Sequence, residues 1–217
     1  MKRILSSVLS LLLAHLMYAQ HAVDLGLSVL WADRNVGADS PGSPGIFVSW
    51  GELEPKSEYL MSNYRFCTGD FCSPTKYYAY NPDEVLTVPD GKTVLEPDDD
   101  VATVMMGSSW RTPLYDELME LTRECQWDWV EDDPNPGYRV TGPNGNSIFL
   151  PAAGIYTGSR HMLGGQEGYY WSSQSLFVPD NAYCLRFTPR LIAHTNFKST
   201  RRFNGCTVRA VCNRPPI

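Results

Sequence analysis

Apolar and polar positions alternate at the start of the region that follows residue 20. The apolar members of the series are Val23, Leu25, Leu27, Val29 and Trp31. A period of two sends successive side chains to opposite faces of a strand. The pattern therefore predicts one strand with a single buried face over residues 23–31.

A helical period appears only in the middle of the chain. The apolar residues that recur at spacings of four, three and four are Leu114, Leu118, Leu121 and Cys125. Thr112 and Pro113 before them are typical of a helix N-cap and first helical position. A shorter helix is predicted over Val101–Met106, because the acids Asp98–Asp100 suit the positive end of its dipole.

The rest of the pattern predicts short strands and turns. Asn144 followed by Gly145 favours a tight hairpin between two of the strands. The predicted strands are Ile46–Trp50, Tyr138–Thr141, Ser147–Leu150, Tyr169–Ser173, Tyr183–Phe187 and Cys206–Cys212. Residues 52–97 have no sustained period and are predicted to form a long ordered excursion. Without an internal repeat or a linker, the chain is interpreted as one α+β domain over residues 21–217.

Residues 1–20 have the pattern of an export signal. Lys2 and Arg3 precede a mostly apolar run, Ile4–Leu13, and a plausible cleavage region. A retained N-terminal anchor is the alternative, but the apolar run is too short to span a bilayer comfortably. We expect a secreted, periplasmic or cell-surface protein with no membrane span after signal removal.

Composition and charge narrow the class of partner. The apolar fraction of 43% excludes a disordered chain, and 17 Gly, 16 Pro and only 19% charged residues describe a turn-rich protein. Signal removal takes away two of the 18 basic residues and none of the 24 acids, which changes the net charge from −6 to −8. Such an acidic chain is a poor candidate for binding nucleic acid or an anionic membrane.

Six cysteines in an exported chain favour disulfides over metal thiolates. Cys67 and Cys72 are close enough in sequence for a local bridge. Cys206 and Cys212 cannot bond to each other if they lie at the two ends of one strand, about 20 Å apart. Cys125 and Cys184 are then left to pair with Cys206 and Cys212, in either combination.

Motifs of catalysis and metal binding are not found in the sequence. No serine lies in G-x-S-x-G, there is no P-loop, and no histidines have the spacing of a zinc site. Glu96 and Asp98–Asp100 could bind calcium through their oxygens, but helix capping is the favoured interpretation. The sequence therefore predicts a protein that is not an enzyme and has no cofactor, with calcium possible but unsupported.

Two segments, Tyr156–His161 and Phe177–Phe203, have the residue types of a binding surface. One holds an aromatic residue beside a glycine-rich stretch, and the other places basic and polar groups between two strands of an acidic chain. The candidate ligand-binding residues are Tyr156, Arg160, His161, Phe177, Arg190, His194, Asn196, Lys198, Arg201 and Arg202.

Eight blocks in order resemble a known family. They are VDLGLSVLWADRNVGA (23–38), SWGE (49–52), VLEPDDDVA (94–102), SWRTP (109–113), CQWDW (125–129), NGNSIFLPAAG (144–154), GYYWSS (168–173) and GCTVRAV (205–211). Together they are similar to the Fibrobacter succinogenes major paralogous domain family of exported bacterial proteins. The resemblance covers nearly all of residues 21–217.

The resemblance implies a C-type-lectin-like fold. That fold has two helices, a mixed or antiparallel sheet whose first and last strands pair, and long loops that carry ligand contacts. By analogy with it, the expected disulfides are Cys125–Cys212, Cys184–Cys206 and Cys67–Cys72. The family itself has no general established activity.

Related groups sharpen the functional alternatives. Calcium-dependent lectins use E-P-N or Q-P-D with W-N-D, whereas here E-P-D (96–98) precedes the first helix and W-N-D is absent. Formylglycine-generating-type enzymes have a similar fold, but no block here corresponds to their active-site cysteines. We expect a non-enzymatic binding module with a protein or glycan ligand. The alternatives are an enzyme on that scaffold and a structural component of a surface appendage.

Overall fold

The computed structural model describes residues 21–68, 73–77, 90–131, 135–176, 180–192 and 199–215. The predicted signal, residues 1–20, lies outside the described residues. The α-helices are α1 (Val101–Met106) and α2 (Tyr115–Glu124), and the 3₁₀ helices are Met61–Asn63 and Pro97–Asp99. The strands are β1 (Ala22–Val23), β2 (Val29–Ala32), β3 (Cys67–Thr68), β4 (Ser73–Pro74), β5 (Trp110–Arg111), β6 (Gln126–Val130), β7 (Gly137–Thr141), β8 (Ser147–Pro151), β9 (Ile155–Thr157), β10 (Arg160–Met162), β11 (Gly168–Ser175), β12 (Asn181–Thr188), β13 (Leu191–Ile192), β14 (Ser199–Arg201) and β15 (Val211–Asn213).

The expected α+β, C-type-lectin-like class is wrong for this structure, which is mostly β. Strands make up 37% of it and helices 13%, and the strands form small antiparallel sheets. Both predicted helices are present, but α1 and α2 are short. The hydrophobic pattern does not predict β6, β9 and β10, because strands of 5, 3 and 3 residues leave little trace in a local period.

The predicted strand over residues 23–31 folds back on itself. β1 pairs antiparallel with β2, with Ala22 opposite Ala32 and Val23 opposite Trp31. The reversal passes through Gly26, whose φ of +79° suits glycine. β2 continues the sheet by pairing with β15, so the first and last segments of the described chain are neighbours. The alternation of buried residues survives, because the loop residues Leu25 and Leu27 still enter the core.

The predicted bounds are confirmed for α1, but the predicted start of α2 is wrong. α1 has the predicted bounds, and the Asp100 side chain caps it by accepting a hydrogen bond from the Ala102 amide at 2.9 Å. α2 begins at Tyr115, beyond the predicted start. Thr112, the predicted cap, instead donates from its hydroxyl to Asp100 at 2.7 Å. The stripe itself is confirmed, since Leu118 and Leu121 are buried.

The hairpin predicted at Asn144–Gly145 is confirmed. β7 and β8 pair from Gly137↔Pro151 to Thr141↔Ser147, and Gly145 has a φ of +87°. β6, which directly follows α2, adds to the other edge of β7.

The antiparallel pair β11 and β12 separates two hydrophobic cores. On β11, Tyr170 packs into one core and Trp171 into the other. On β12, Cys184 faces the Trp171 side while Leu185 faces the Tyr170 side. This is the alternation expected when both faces of a sheet are covered. The core that contains Trp171 also takes aromatic residues from the long excursion, so the described part of that segment is ordered against the sheet.

In the described part of the chain, none of the helices combines the length and the apolar character needed to cross a membrane.

Candidate functional site

An open groove lies beside the first residue of β12, between β14 and the β9–β10 hairpin. Its volume is about 590 Å³, which falls in the range of small-ligand sites. The residues that line it are Thr157, Asp180, Asn181, Ser199, Thr200, Arg201, Phe203 and Asn204. Seven of these eight residues have polar side chains.

The pairing of β12 with β14 builds one wall of the groove. Asn181 lies opposite Arg201 and Ala182 opposite Thr200. After β14 the chain turns, and the amide of Asn204 donates to the carbonyl of Arg201 at 2.9 Å. This turn brings Phe203 and Asn204 back toward the groove.

Two asparagines in this wall have one satisfied and one unsatisfied end. The Nδ2 of Asn181 donates to Ser199 Oγ at 3.1 Å, and the Nδ2 of Asn204 donates to Thr200 Oγ1 at 2.9 Å. Both Oδ1 atoms are buried and accept no hydrogen bond from the described residues. A buried acceptor without a donor costs about 1–3 kcal/mol, so a hydrogen-bond donor that reached these oxygens would be stabilising.

The adjacent arginines of the predicted binding segment have different environments. Arg201 is exposed, and its guanidinium lies 5.6 Å from the centroid of the Phe203 ring. Arg202 is buried, with only 1% of its surface exposed, and donates to the carbonyls of Asn181 and Tyr77. Burial lowers the pKa of Arg202 from its ordinary value. Arg202 therefore lies in the core and is not among the residues that line the groove, and its predicted ligand contact stays a prediction.

Tyr156 and His161 face away from the groove wall that Thr157 contributes. Their rings are stacked with centroids 4.8 Å apart, and Phe47 packs edge-on against Tyr156 at 4.9 Å. Tyr59 lies 5.3 Å from Tyr156. Protein rings thus surround the face of Tyr156 predicted to meet a ligand, and His161 is the exposed member of the stack.

The structure does not bring all the predicted ligand-binding residues together. Arg190 follows the far end of β12. It is separated from the groove by about 20 Å or more, at roughly 3.3 Å per strand residue. Arg160 pairs with Thr157 across the hairpin and thus lies near the groove. Four predicted residues lie outside the described residues: Phe177, His194, Asn196 and Lys198.

The groove also contains residues that the sequence analysis did not name. They are Thr157, Asp180, Asn181, Ser199, Thr200, Phe203 and Asn204. Most fall inside the segment predicted to bind, but as common turn and strand residues they have no motif. The asparagine before Gly205 was the one local signal of a turn.

The cysteines give a mixed outcome. Cys67 is disulfide-bonded, and its predicted partner Cys72 lies outside the described residues. Cys125, Cys184, Cys206 and Cys212 are free thiols in the structure. The pairings Cys125–Cys212 and Cys184–Cys206 are therefore not formed in it and stay predictions.

The thiols of Cys184 and Cys206 nevertheless interact in the core. Burial and this contact raise the pKa of Cys206 well above its ordinary value, and burial raises that of Cys125 to about 11. Both groups are therefore protonated at neutral pH, which disfavours nucleophilic chemistry.

The acidic run considered for calcium is engaged by protein groups. Asp99 is buried and bonds to Lys76 Nζ at 2.5 Å, Arg65 at 3.0 Å and the Tyr77 hydroxyl at 2.6 Å. Glu96 bonds to Lys76 and Lys92. Within the described ranges, no group of three or more His, Cys, Asp or Glu residues is arranged to hold a metal ion.

Comparison of the chain with protein-family models, with curated proteins and with solved structures found no match.

Proposed function

We propose that this chain is an exported, non-enzymatic binding module, secreted or at the cell surface, and that its groove binds a glycan. The observation that carries the proposal is the pair of buried, unpaired amide oxygens of Asn181 and Asn204 in the wall of the groove. Export itself rests on the signal pattern of residues 1–20.

The chemistry of the wall suits a ligand that donates many hydrogen bonds. Asp180 and the two asparagines present acceptor oxygens, while the hydroxyls of Ser199 and Thr200 can donate as well as accept. A sugar ring carries several hydroxyl groups on a small frame. Its hydroxyls would satisfy the unpaired oxygens and offset the cost of their burial.

A glycan fits this wall better than a protein segment does. Hot spots of protein interfaces are aromatic or apolar anchors in desolvated pockets. The groove has one such residue, Phe203, and Arg201 lies over its ring. The exposed apolar residues Leu60 and Met162 do not line it.

The raised pKa values of the thiols support the non-enzymatic interpretation over an enzyme with a cysteine nucleophile. Cys206 is fully buried, and its high pKa keeps it protonated. The resemblance to the Fibrobacter succinogenes major paralogous domain family remains a prediction, and it assigns no ligand.

Binding of the purified protein to an array of neutral and acidic oligosaccharides tests the proposal. The affinity for the strongest binder is then measured by titration calorimetry for the wild type and for Asn204→Ala. We expect about a tenfold loss of affinity, because one hydrogen bond to a buried acceptor contributes roughly 1.4 kcal/mol. Asn213→Ala is the matched control, since Asn213 is an exposed asparagine on β15 away from the groove.

Two results would contradict the proposal. One is the absence of binding to any oligosaccharide on the array. The other is an affinity that stays unchanged in both Asn204→Ala and Asp180→Ala, provided that both variants keep the wild-type unfolding midpoint. The second result would place the ligand elsewhere on the molecule.

A further inference from the structure

A cation without an acidic partner stands at the groove. Arg201 is exposed and lines the cavity, and its guanidinium is positioned over the Phe203 ring. No carboxylate of the described residues forms an ion pair with it. A cation–π contact at an exposed site orients the guanidinium but leaves its N–H donors available.

A second arginine lies on the hairpin that contributes Thr157 to the groove. Arg160 is directly opposite Thr157 in the β9–β10 hairpin. Directly opposed residues in an antiparallel pair project from the same face, and Thr157 lines the groove. Arg160 is exposed, and no hydrogen bond or ion pair joins its side chain to the described residues around it.

Among the described residues that line the groove, Asp180 supplies the carboxylate. Its backbone carbonyl accepts the Arg202 amide at 2.7 Å. Arg201 and Arg160 thus place two exposed guanidinium groups at or beside the groove against this one described carboxylate. This local excess lies in a chain whose net charge is −6.

We propose, on the basis of the proposed function, that the groove selects an acidic saccharide, whose carboxylate is bound by Arg201 and Arg160 while its hydroxyls meet Asp180, Asn181 and Asn204. The two arginines then form a cationic rim of the groove, and Asp180, Asn181 and Asn204 form a wall rich in hydrogen-bond acceptors. A uronic acid has the matching division, with one carboxylate and several hydroxyls on the same ring.

The guanidinium group gives this selectivity its geometry. Its parallel N–H donors match the two oxygens of a carboxylate. Two arginines on separate elements, β14 and β10, fix the position of the carboxylate relative to the wall. A neutral sugar would keep the hydroxyl contacts and lose only the charge-assisted ones.

The test compares two probes that have the same ring hydroxyls but differ in the charge of their carboxyl groups. Trigalacturonate and its fully methyl-esterified form carry the same ring hydroxyls, and calorimetry gives the affinity for each. We expect the acid to bind about tenfold more tightly than the ester, as a charge-assisted hydrogen bond allows. The preference is expected to shrink as salt is raised, because salt screens exposed charges.

Variants assign the preference to the two arginines. Arg201→Gln and Arg160→Gln should each reduce the ratio of acid to ester affinity and leave binding of the ester nearly unchanged. Arg139→Gln is the matched control, because Arg139 is an exposed arginine on β7 that does not line the groove. Arg201→Lys should restore part of the preference, since lysine keeps the charge but not the fork.

The outcomes separate this inference from the proposed function. If the ester binds as tightly as the acid and Asn204→Ala weakens both, the groove binds glycans without charge selection and the inference is wrong. If the acid is preferred but neither arginine variant alters the ratio, the assignment to Arg201 and Arg160 is wrong. If neither probe nor any array glycan binds, both proposals fail.

Discussion

The guanidinium of Arg202 lies 4.9 Å from the centroid of the Trp50 ring, and both side chains are buried. Arg202 also donates to the carbonyls of Asn181 and Tyr77, which belong to segments far apart in the sequence. One side chain thus joins the start of β12 to the long excursion. The next residue toward the N-terminus, Arg201, makes none of these contacts; it is exposed and lies over the Phe203 ring at the groove.

Substitution of each of these adjacent arginines distinguishes a structural role in the core from a position on the surface. Arg202→Ala should lower the free energy of unfolding by about 3 kcal/mol or more, because it removes a packed side chain and the guanidinium donors to the carbonyls of Asn181 and Tyr77. Arg201→Ala should change it by less than about 0.5 kcal/mol. Urea denaturation of both variants measures the difference, and equal midpoints would show that Arg202 is not a core residue.

The stacked rings of Tyr156 and His161 are expected to stabilise the folded protein. Tyr156→Ala should lower the free energy of unfolding by about 2 kcal/mol, since Phe47, Tyr59 and His161 all lose ring contacts. Tyr156→Phe keeps the ring and is the matched control, with little expected change. Thermal unfolding followed by circular dichroism compares the two. A large loss in the phenylalanine variant would contradict a role that depends on the ring.

Protonation of Glu96 should make the folded protein less stable in acid. Lys76 and Lys92 lower the pKa of its carboxyl from 4.5 to about 2. A carboxyl whose pKa is lower in the folded state stabilises the protein above its unfolded pKa, and this contribution disappears as the pH falls from about 4.5 to about 2. NMR titration of the Glu96 carboxyl measures the folded pKa directly.

Removal of one cation provides the control for Glu96. Lys92→Gln should raise the pKa of Glu96 toward its ordinary value, because one of the two ammonium partners is lost. An unchanged titration in this variant would mean that Lys92 does not pair with Glu96 in solution.

The reduced thiols should react slowly with alkylating reagents. Burial raises the pKa of Cys125 to about 11, so few molecules carry its thiolate at pH 8. Alkylation of Cys125 in the reduced, folded protein should increase as the pH rises toward 11. In urea, the pH dependence of its alkylation should be that of an ordinary thiol. Because the folded pKa is the higher one, this group's contribution to stability is lost as the pH rises from about 9 to about 11. Peptide mapping by mass spectrometry measures the reaction at each cysteine, and rapid labelling of folded Cys125 at pH 8 would contradict the prediction.

Local patterns were sufficient for several elements. The stripe of Leu118 and Leu121 predicted α2, and Asn144 with Gly145 predicted the turn between β7 and β8. These signals are reliable because a helix face and a short hairpin turn are decided by residues close in sequence. The start of α2 was misplaced, since Thr112 bonds to Asp100 across a tertiary contact.

The candidate site was predicted only as a segment. Basic and polar residues marked the region that contains Arg201 and Arg202, but the pattern could not tell which of the two is buried. That difference depends on Trp50 and Tyr77, which come from the long excursion. Likewise, Asn181 and Asn204 become neighbours of one groove only through the pairing of β12 with β14.

The sequence by itself determined the export pattern, the acidic charge, the two short helices and the strands that carry their own period or turn. The tertiary structure decided that the chain is mostly β, that residues 23–31 form a hairpin and that Arg202 is a core residue. The physical reason is that strand pairing and burial are interactions between distant segments, whereas helix periods and turns are local. The tertiary structure also decided the groove, because its wall exists only when β12, β14 and the β9–β10 hairpin meet.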